Sequence, residues 1–187
     1  MKYEILKKNP GILQINAIDN ITKLPFETVS FRVTSPSGSV SNYTTESAVI
    51  INDAESGNWY IEDDGIPYCY QNSPEYSVKN SGSETLVVLP YDKKPDLEIR
   101  DLDEGSKEHL DGGSFEVYHQ GKLIRSSLLD GKKLTFSNMD PGIYTVKQIK
   151  ASEGYELEQI EMQVSLELNN VTTISFFSHH SEQGDSQ

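Results

Sequence analysis

The sequence predicts an all-β protein built as two similar sandwich domains in tandem, and three observations carry that expectation. Apolar residues alternate with polar ones at a period of two between turn signals roughly every 8–12 residues, the pattern of a many-stranded sandwich. The apolar payload is aromatic, with ten Tyr, six Phe and one Trp in 187 residues, which favours strands over helices. Third, the chain repeats itself. Leu13-Gln14-Ile15-Asn16-Ala17-Ile18-Asp19 aligns with Leu97-Glu98-Ile99-Arg100-Asp101-Leu102-Asp103, and Ser30-Phe31-Arg32-Val33 with Ser114-Phe115-Glu116-Val117, both at a spacing of 84. Gly57-Asn58-Trp59-Tyr60-Ile61 then matches Gly142-Ile143-Tyr144-Thr145-Val146, and Glu75-Tyr76-Ser77-Val78 matches Glu161-Met162-Gln163-Val164, so the spacing drifts by only two residues over four segments.

The elements are clearest in the second copy. Phe115, Val117, Leu123 and Ile124 read as strand material around a Gln120-Gly121 turn. Asp130-Gly131 is a hairpin signal, and Asp140-Pro141-Gly142 separates Leu134-Thr135-Phe136 from Ile143-Tyr144-Thr145-Val146. Val164-Ser165-Leu166-Glu167-Leu168 alternates cleanly before Asn169-Asn170 turns into Val171-Thr172-Thr173-Ile174-Ser175-Phe176. About seven short strands per copy follow. Phe115, Tyr144 and Val146 are expected to point into the core. The boundary is expected near Asp92-Lys93-Lys94-Pro95, giving domains at 1–92 and 93–180 and a disordered tail at 181–187.

The second copy resembles the B-type repeat of collagen adhesins and the related SpaA-like pilin domains of Gram-positive bacteria, a prealbumin-like (transthyretin-like, Ig-like) sandwich. Three segments carry the resemblance: Leu110-Asp111-Gly112-Gly113-Ser114-Phe115-Glu116-Val117-Tyr118, Met139-Asp140-Pro141-Gly142-Ile143-Tyr144-Thr145-Val146-Lys147, and Ala151-Ser152-Glu153-Gly154-Tyr155, which stands where the family has A-P-x-G-Y. The first copy matches through its similarity to the second.

Many members of that family join a buried first-strand Lys to a last-strand Asn or Asp, assisted by a Glu. The chemistry needs a neutral amine in an apolar pocket and a carboxyl to move the proton. On this chain the Lys position falls at Asp101, the Glu at Gln148, and the last-strand partner at Phe177 or Ser178. A slip of one residue would move the first to Arg100. The first-copy equivalents are Ala17, Asp63 and about Tyr91. The resemblance therefore implies that the isopeptide positions Asp101, Gln148 and Phe177 are lost, and no crosslink is expected in either domain.

Other constellations are poorer. A net charge of -13 repels phosphate backbones and anionic lipid, so nucleic acid and membrane are not expected as partners. One cysteine, Cys69, permits no internal disulfide. Asp101-Leu102-Asp103-Glu104-Gly105 echoes a calcium loop without its distal Glu and reads as a solvated acidic turn; Glu62-Asp63-Asp64-Gly65 and the pair His179-His180 have equally slight claims to a metal. No G-x-S-x-G elbow and no phosphate loop is present, so neither an enzyme nor a cofactor is expected. Ile66-Pro67-Tyr68-Cys69-Tyr70-Gln71-Asn72, if extended, would put Tyr68 and Tyr70 on one face as a possible ligand contact; otherwise Tyr68 takes the core-edge place of Tyr155.

Together these readings predict a non-catalytic spacer or stalk segment of a cell-surface adhesin or minor pilus component, partnered by other domains of that assembly, with signal and anchor not visible in this chain. The alternatives are a module binding polysaccharide or a host matrix protein, and an accessory domain of a wall, spore or phage-tail assembly.

Overall fold

The computed structural model describes residues 11–71, 76–82, 84–157 and 161–181. Asn72 and Glu75 of the segments above, and 182–187 of the expected tail, lie outside the described residues. The chain divides into two compact units that meet between Lys93 and Lys94.

Among the described residues each unit is seven strands in two sheets. In the first they are β1 (Gly11–Asp19), β2 (Val29–Thr34), β3 (Val40–Thr45), β4 (Val49–Ala54), β5 (Gly57–Gly65), β6 (Tyr76–Asn80) and β7 (Thr85–Tyr91). In the second they are β8 (Asp96–Asp103), β9 (Ser114–His119), β10 (Lys122–Leu128), β11 (Leu134–Phe136), β12 (Gly142–Lys150), β13 (Glu161–Leu166) and β14 (Val171–Ser178). The sheet orders are β4-β1-β7 with β3-β2-β5-β6, and β11-β8-β14 with β10-β9-β12-β13. These are one topology written twice, strand for strand.

Period two decides what each sheet buries. Along β8 the inward positions are Leu97, Ile99, Asp101 and Asp103, and along β1 they are Leu13, Ile15 and Ala17. Phe115 and Val117 from β9 and Tyr144 and Val146 from β12 face them, with Leu166 and Phe176 closing the second core. Phe31, Val33, Trp59 and Ile61 do the same for the first. The turns supply what their sequences offered: Gln120-Gly121, Gly131 and Asn169 all adopt positive φ.

Two features of this frame recur in both units. The first and last strands pair in parallel, β1 with β7 from Leu13↔Thr85 to Asp19↔Tyr91, and β8 with β14 from Asp96↔Val171 to Asp103↔Ser178. The long central strands also bulge at one equivalent place. The register against Ser30 and Phe31 steps from Gly65 to Asp63, and that against Ser114 and Phe115 steps from Lys150 to Gln148. The bulge brings Gln148, and in the other unit Asp63, to the inner ends of β12 and β5.

Gly57 and Gly142 open β5 and β12 at φ 142 and 152, backbone that a side chain strains to adopt. A Cβ at Gly57 would lie 2.7 Å from the Pro36 Cβ, whereas one at Gly142 meets the end of the His119 ring at 2.9 Å. The imidazole can rotate away and the pyrrolidine cannot. Gly57→Ala is therefore expected to cost about 1–3 kcal/mol and more than Gly142→Ala, as measured by chemical denaturation of the whole chain.

Candidate functional site

The inner end of the parallel strand pair is where the sequence placed its crosslink positions, and the structure gathers them there. Asp101 on β8 is fully buried. Its Oδ2 accepts hydrogen bonds from Gln148 Nε2 at 2.9 Å and Ser152 Oγ at 3.0 Å, and its Oδ1 accepts one from Ser178 Oγ at 2.7 Å. Gln148, Ser152 and Ser178 are themselves buried. Gly113 forms the floor, since a Cβ there would stand 3.1 Å from Asp101 Oδ2. Three strands and the loop after β12 are thus tied to one carboxyl group. A carboxyl, a primary amide and two hydroxyls satisfy one another; none of them is an amine.

The register also separates two readings of the last-strand position. Ser178 points inward to Asp101, while Phe177 points outward, 40% exposed, with Lys107 Nζ 4.6 Å from its ring centre. The inward last-strand residue is therefore Ser178 and not Phe177. Arg100 lies on the outer side of β8, beside Glu98 at 3.8 Å, so a one-residue slip brings no cation inward. Ser152 was not singled out from the sequence. Its signal was there: it stands where the family carries proline, and a hydroxyl replaces the ring.

The first unit fills the same place differently. Ala17 leaves room on β1, and the fully buried Tyr91 occupies it from β7, its ring 5.6 Å from that of Phe26. The Tyr91 hydroxyl donates to the Asp63 carboxylate. Burial, then that hydrogen bond to an anion, pushes the Tyr91 phenol far above its ordinary range.

A second device is common to both units and lies one step further along the first strand. Asp19 Oδ1 accepts the Ile21 and Thr22 amides at 2.8 and 2.7 Å, and its Oδ2 accepts the Tyr70 hydroxyl at 2.7 Å. Asp103 Oδ1 accepts the Ser106 amide at 2.6 Å, and its Oδ2 accepts the Tyr155 hydroxyl at 3.0 Å. In each case one carboxylate caps the turn that follows the first strand and anchors a tyrosine from the far loop. Burial followed by the Asp19 bond raises the Tyr70 phenol to about 12. The Ser106 amide, the Ser106 hydroxyl and the Tyr155 hydroxyl bring Asp103 down from 3.8 to about 2 despite its burial.

Tyr70, not Tyr68, therefore holds the position of Tyr155. The segment before it is not extended: the Tyr70 amide bonds to the Pro67 carbonyl at 2.9 Å, closing a turn. Tyr68 is left 81% exposed, and Tyr70 packs edge-on against Phe26 at 4.6 Å, so the two rings share no face. Cys69 between them is half-buried.

The acidic segment Asp101–Gly105 is a solvated turn only at its end, where Glu104 and Gly105 are exposed. Asp101 and Asp103 are buried and bonded as described, and Glu104 pairs with His179 Nδ1 at 2.7 Å. His180 stacks on Tyr155 at 4.4 Å with its Nε2 3.3 Å from Asp103 Oδ2, so the two histidines serve different carboxylates. Glu62 pairs with Arg32 at 3.3 Å. Among the described residues no three His, Cys, Asp or Glu side chains are placed to hold a metal.

Two measurements check this geometry. Ser178→Ala strips a donor from a buried carboxyl and is expected to cost about 1–3 kcal/mol, against less than about 1 kcal/mol for the outward Phe177→Ala. Equal costs would mean that the register is wrong. For Asp103, the folded pKa lies below the ordinary 3.8, so its contribution is present above that value and lost as pH falls toward about 2. Asp103→Asn is expected to flatten the acid limb of a stability-against-pH curve in that interval.

Residues 95–179 match the family model described as SpaA, prealbumin-like fold domain. No curated protein matches the chain in sequence. Among solved structures, the shaft pilin SpaA from Lactobacillus rhamnosus GG superposes with a TM-score of 0.51 at 11% identity, covering 91% of this chain and 97% of that one. The Bacillus anthracis TIE protein gives 0.46 at 22% identity over 91% of this chain, and the streptococcal ancillary pilin 0.45 at 13% over 92%. This chain spans 34% of the TIE protein and 63% of the ancillary pilin. At these identities the likeness is one of fold. Residues 95–179 are thus similar to the SpaA prealbumin-like domain, and the first unit repeats their topology strand for strand.

Proposed function

We propose that the chain is a non-catalytic spacer segment of a Gram-positive cell-surface assembly, a stalk or minor pilus component whose domains are closed by hydrogen-bonded joints and not by isopeptide bonds. The observation that carries this reading is the joint itself. In both units the place where first and last strands meet is filled by groups that satisfy each other and present no amine: Asp101 with Gln148, Ser152 and Ser178 in one, Tyr91 with Asp63 beside Ala17 in the other. A group held by three partners in the interior is suited to tying strands and ill placed to meet a substrate. The fold's likeness to a shaft pilin supports extracellular placement and partnership with other domains of the same assembly as part of this reading.

The test is the intact mass of the purified chain together with its response to force. A mass equal to that of the sequence, and unfolding of both units to full contour length when pulled, are expected. A mass short by one ammonia or one water, with a correspondingly truncated extension, would overturn the hydrogen-bonded joint. A turnover activity lost on mutating Asp101 would overturn the non-catalytic reading.

A further inference from the structure

Topology decides how each unit takes tension. A pull on the two ends of the chain enters the second unit at Asp96, where β8 begins, and leaves it at Ser178, where β14 ends. These strands are parallel neighbours in unbroken register from Asp96↔Val171 to Asp103↔Ser178, so their loaded ends lie at opposite poles of the unit. The first unit is loaded in the same way, through Gly11 of β1 and Tyr91 of β7, paired from Leu13↔Thr85 to Asp19↔Tyr91. Tension therefore slides each first strand along its last strand. The bonds of a parallel ladder are evenly spaced and cross the direction of sliding, so they are strained together. Pulled apart from one pole, the same bonds would break in turn. The second unit adds a side-chain bond aligned with the load. Ser178 lies two positions beyond Phe176, the register partner of Asp101, yet its Oγ donates to Asp101 Oδ1 at 2.7 Å. The bond thus runs obliquely, from the first strand toward the exit of the last, and sliding stretches it from the outset. Gln148 Nε2 and Ser152 Oγ hold Asp101 in place, so the load passes on to β12 and the loop after it. The corresponding tie in the first unit, Tyr91 to Asp63, joins the last strand to β5 and bypasses β1.

We infer that each parallel strand pair is a shear clamp, which resists end-to-end tension far better than a pull from one pole, and that the Asp101–Ser178 bond is a load-bearing part of the clamp in the second unit. The inference rests on the hydrogen-bonded joint proposed above, because a covalent bond at the seam would carry the load itself. Resistance of this kind is a rate of forced unfolding and not an equilibrium stability, so the two can be measured apart.

The experiment is force spectroscopy of the whole chain in two directions, with Cys69→Ser so that an introduced thiol is unique. Held by its two ends, the chain loads both units in shear. Held by its N-terminus and a thiol at Asn170→Cys, an exposed site just before β14, it still shears the first unit but peels β8 from β14 in the second. The first unit is thus a reference within the same molecule. When peeled, the second unit should yield at a several-fold lower force, with the first unchanged. Ser178→Ala should lower the shear force of the second unit and leave its peeling force as it was, because that bond lies at the far end of the peel. Val146→Ala, buried on β12 away from the strand pair, should lower the shear force less even where it costs as much equilibrium stability. Full extension with equal forces in the two directions overturns the clamp alone, as does a shear force that simply follows equilibrium stability across the variants. A truncated extension overturns the hydrogen-bonded joint on which both readings rest.

Discussion

Each unit depends on one constraint: its first and last strands lie side by side and parallel. Parallel neighbours cannot be joined by a tight turn, so the remaining five strands of the unit form the crossover between them. The pairing closes a loop of nearly the whole domain and must be held against the entropy of that closure. In the second unit a fully buried carboxyl anchors this seam. Asp101 on β8 bonds to Ser178 on β14, and through Gln148 it reaches the opposite sheet, so one side chain spans both layers. The seam is also where burial makes an unsatisfied group most costly, which explains why every polar atom of Asp101 has a partner.

The two units meet the same constraint with different chemistry. In the second, a small acid on the first strand is surrounded by small donors. In the first, the first-strand residue shrinks to Ala17 and the last-strand residue grows to Tyr91, whose hydroxyl reaches the carboxylate on the bulged strand. Volume moves from one strand to another while the seam stays filled, as close packing demands. The adjacent carboxylate–tyrosine anchors, Asp19 with Tyr70 and Asp103 with Tyr155, are by contrast the same in both. What caps the first turn has been retained, and what fills the seam has been exchanged.

Much of this was legible in the sequence, because alternation and turn chemistry are local. The strands around Gln120-Gly121, Asp130-Gly131 and Asn169-Asn170 could be read from their own residues, and the duplication from spacing alone. What was misread required knowledge of neighbours. Phe177 was preferred to Ser178 because the repeat spacing drifts by up to two residues near the end of the chain, and a slip of one reverses inward and outward. Tyr68 was paired with Tyr70 because nothing in their types reveals the turn that the Pro67 carbonyl closes. Asp101 was read as solvated because an acid beside other acids is usually so; its burial depends on Gln148, Ser152 and Ser178, which are 47 to 77 residues away.

The exchange of volume at the seam bears on how such a duplicated gene can change. Tandem copies invite unequal recombination, which splices the start of one repeat to the end of the other. A hybrid combining Ala17 with Ser178 would leave a hole between the sheets, and one combining Asp101 with Tyr91 would force a phenol ring into a place already filled. The opening and closing strands of each copy are thus a matched set. The opening and closing strands of one copy therefore fit each other and not those of the other copy.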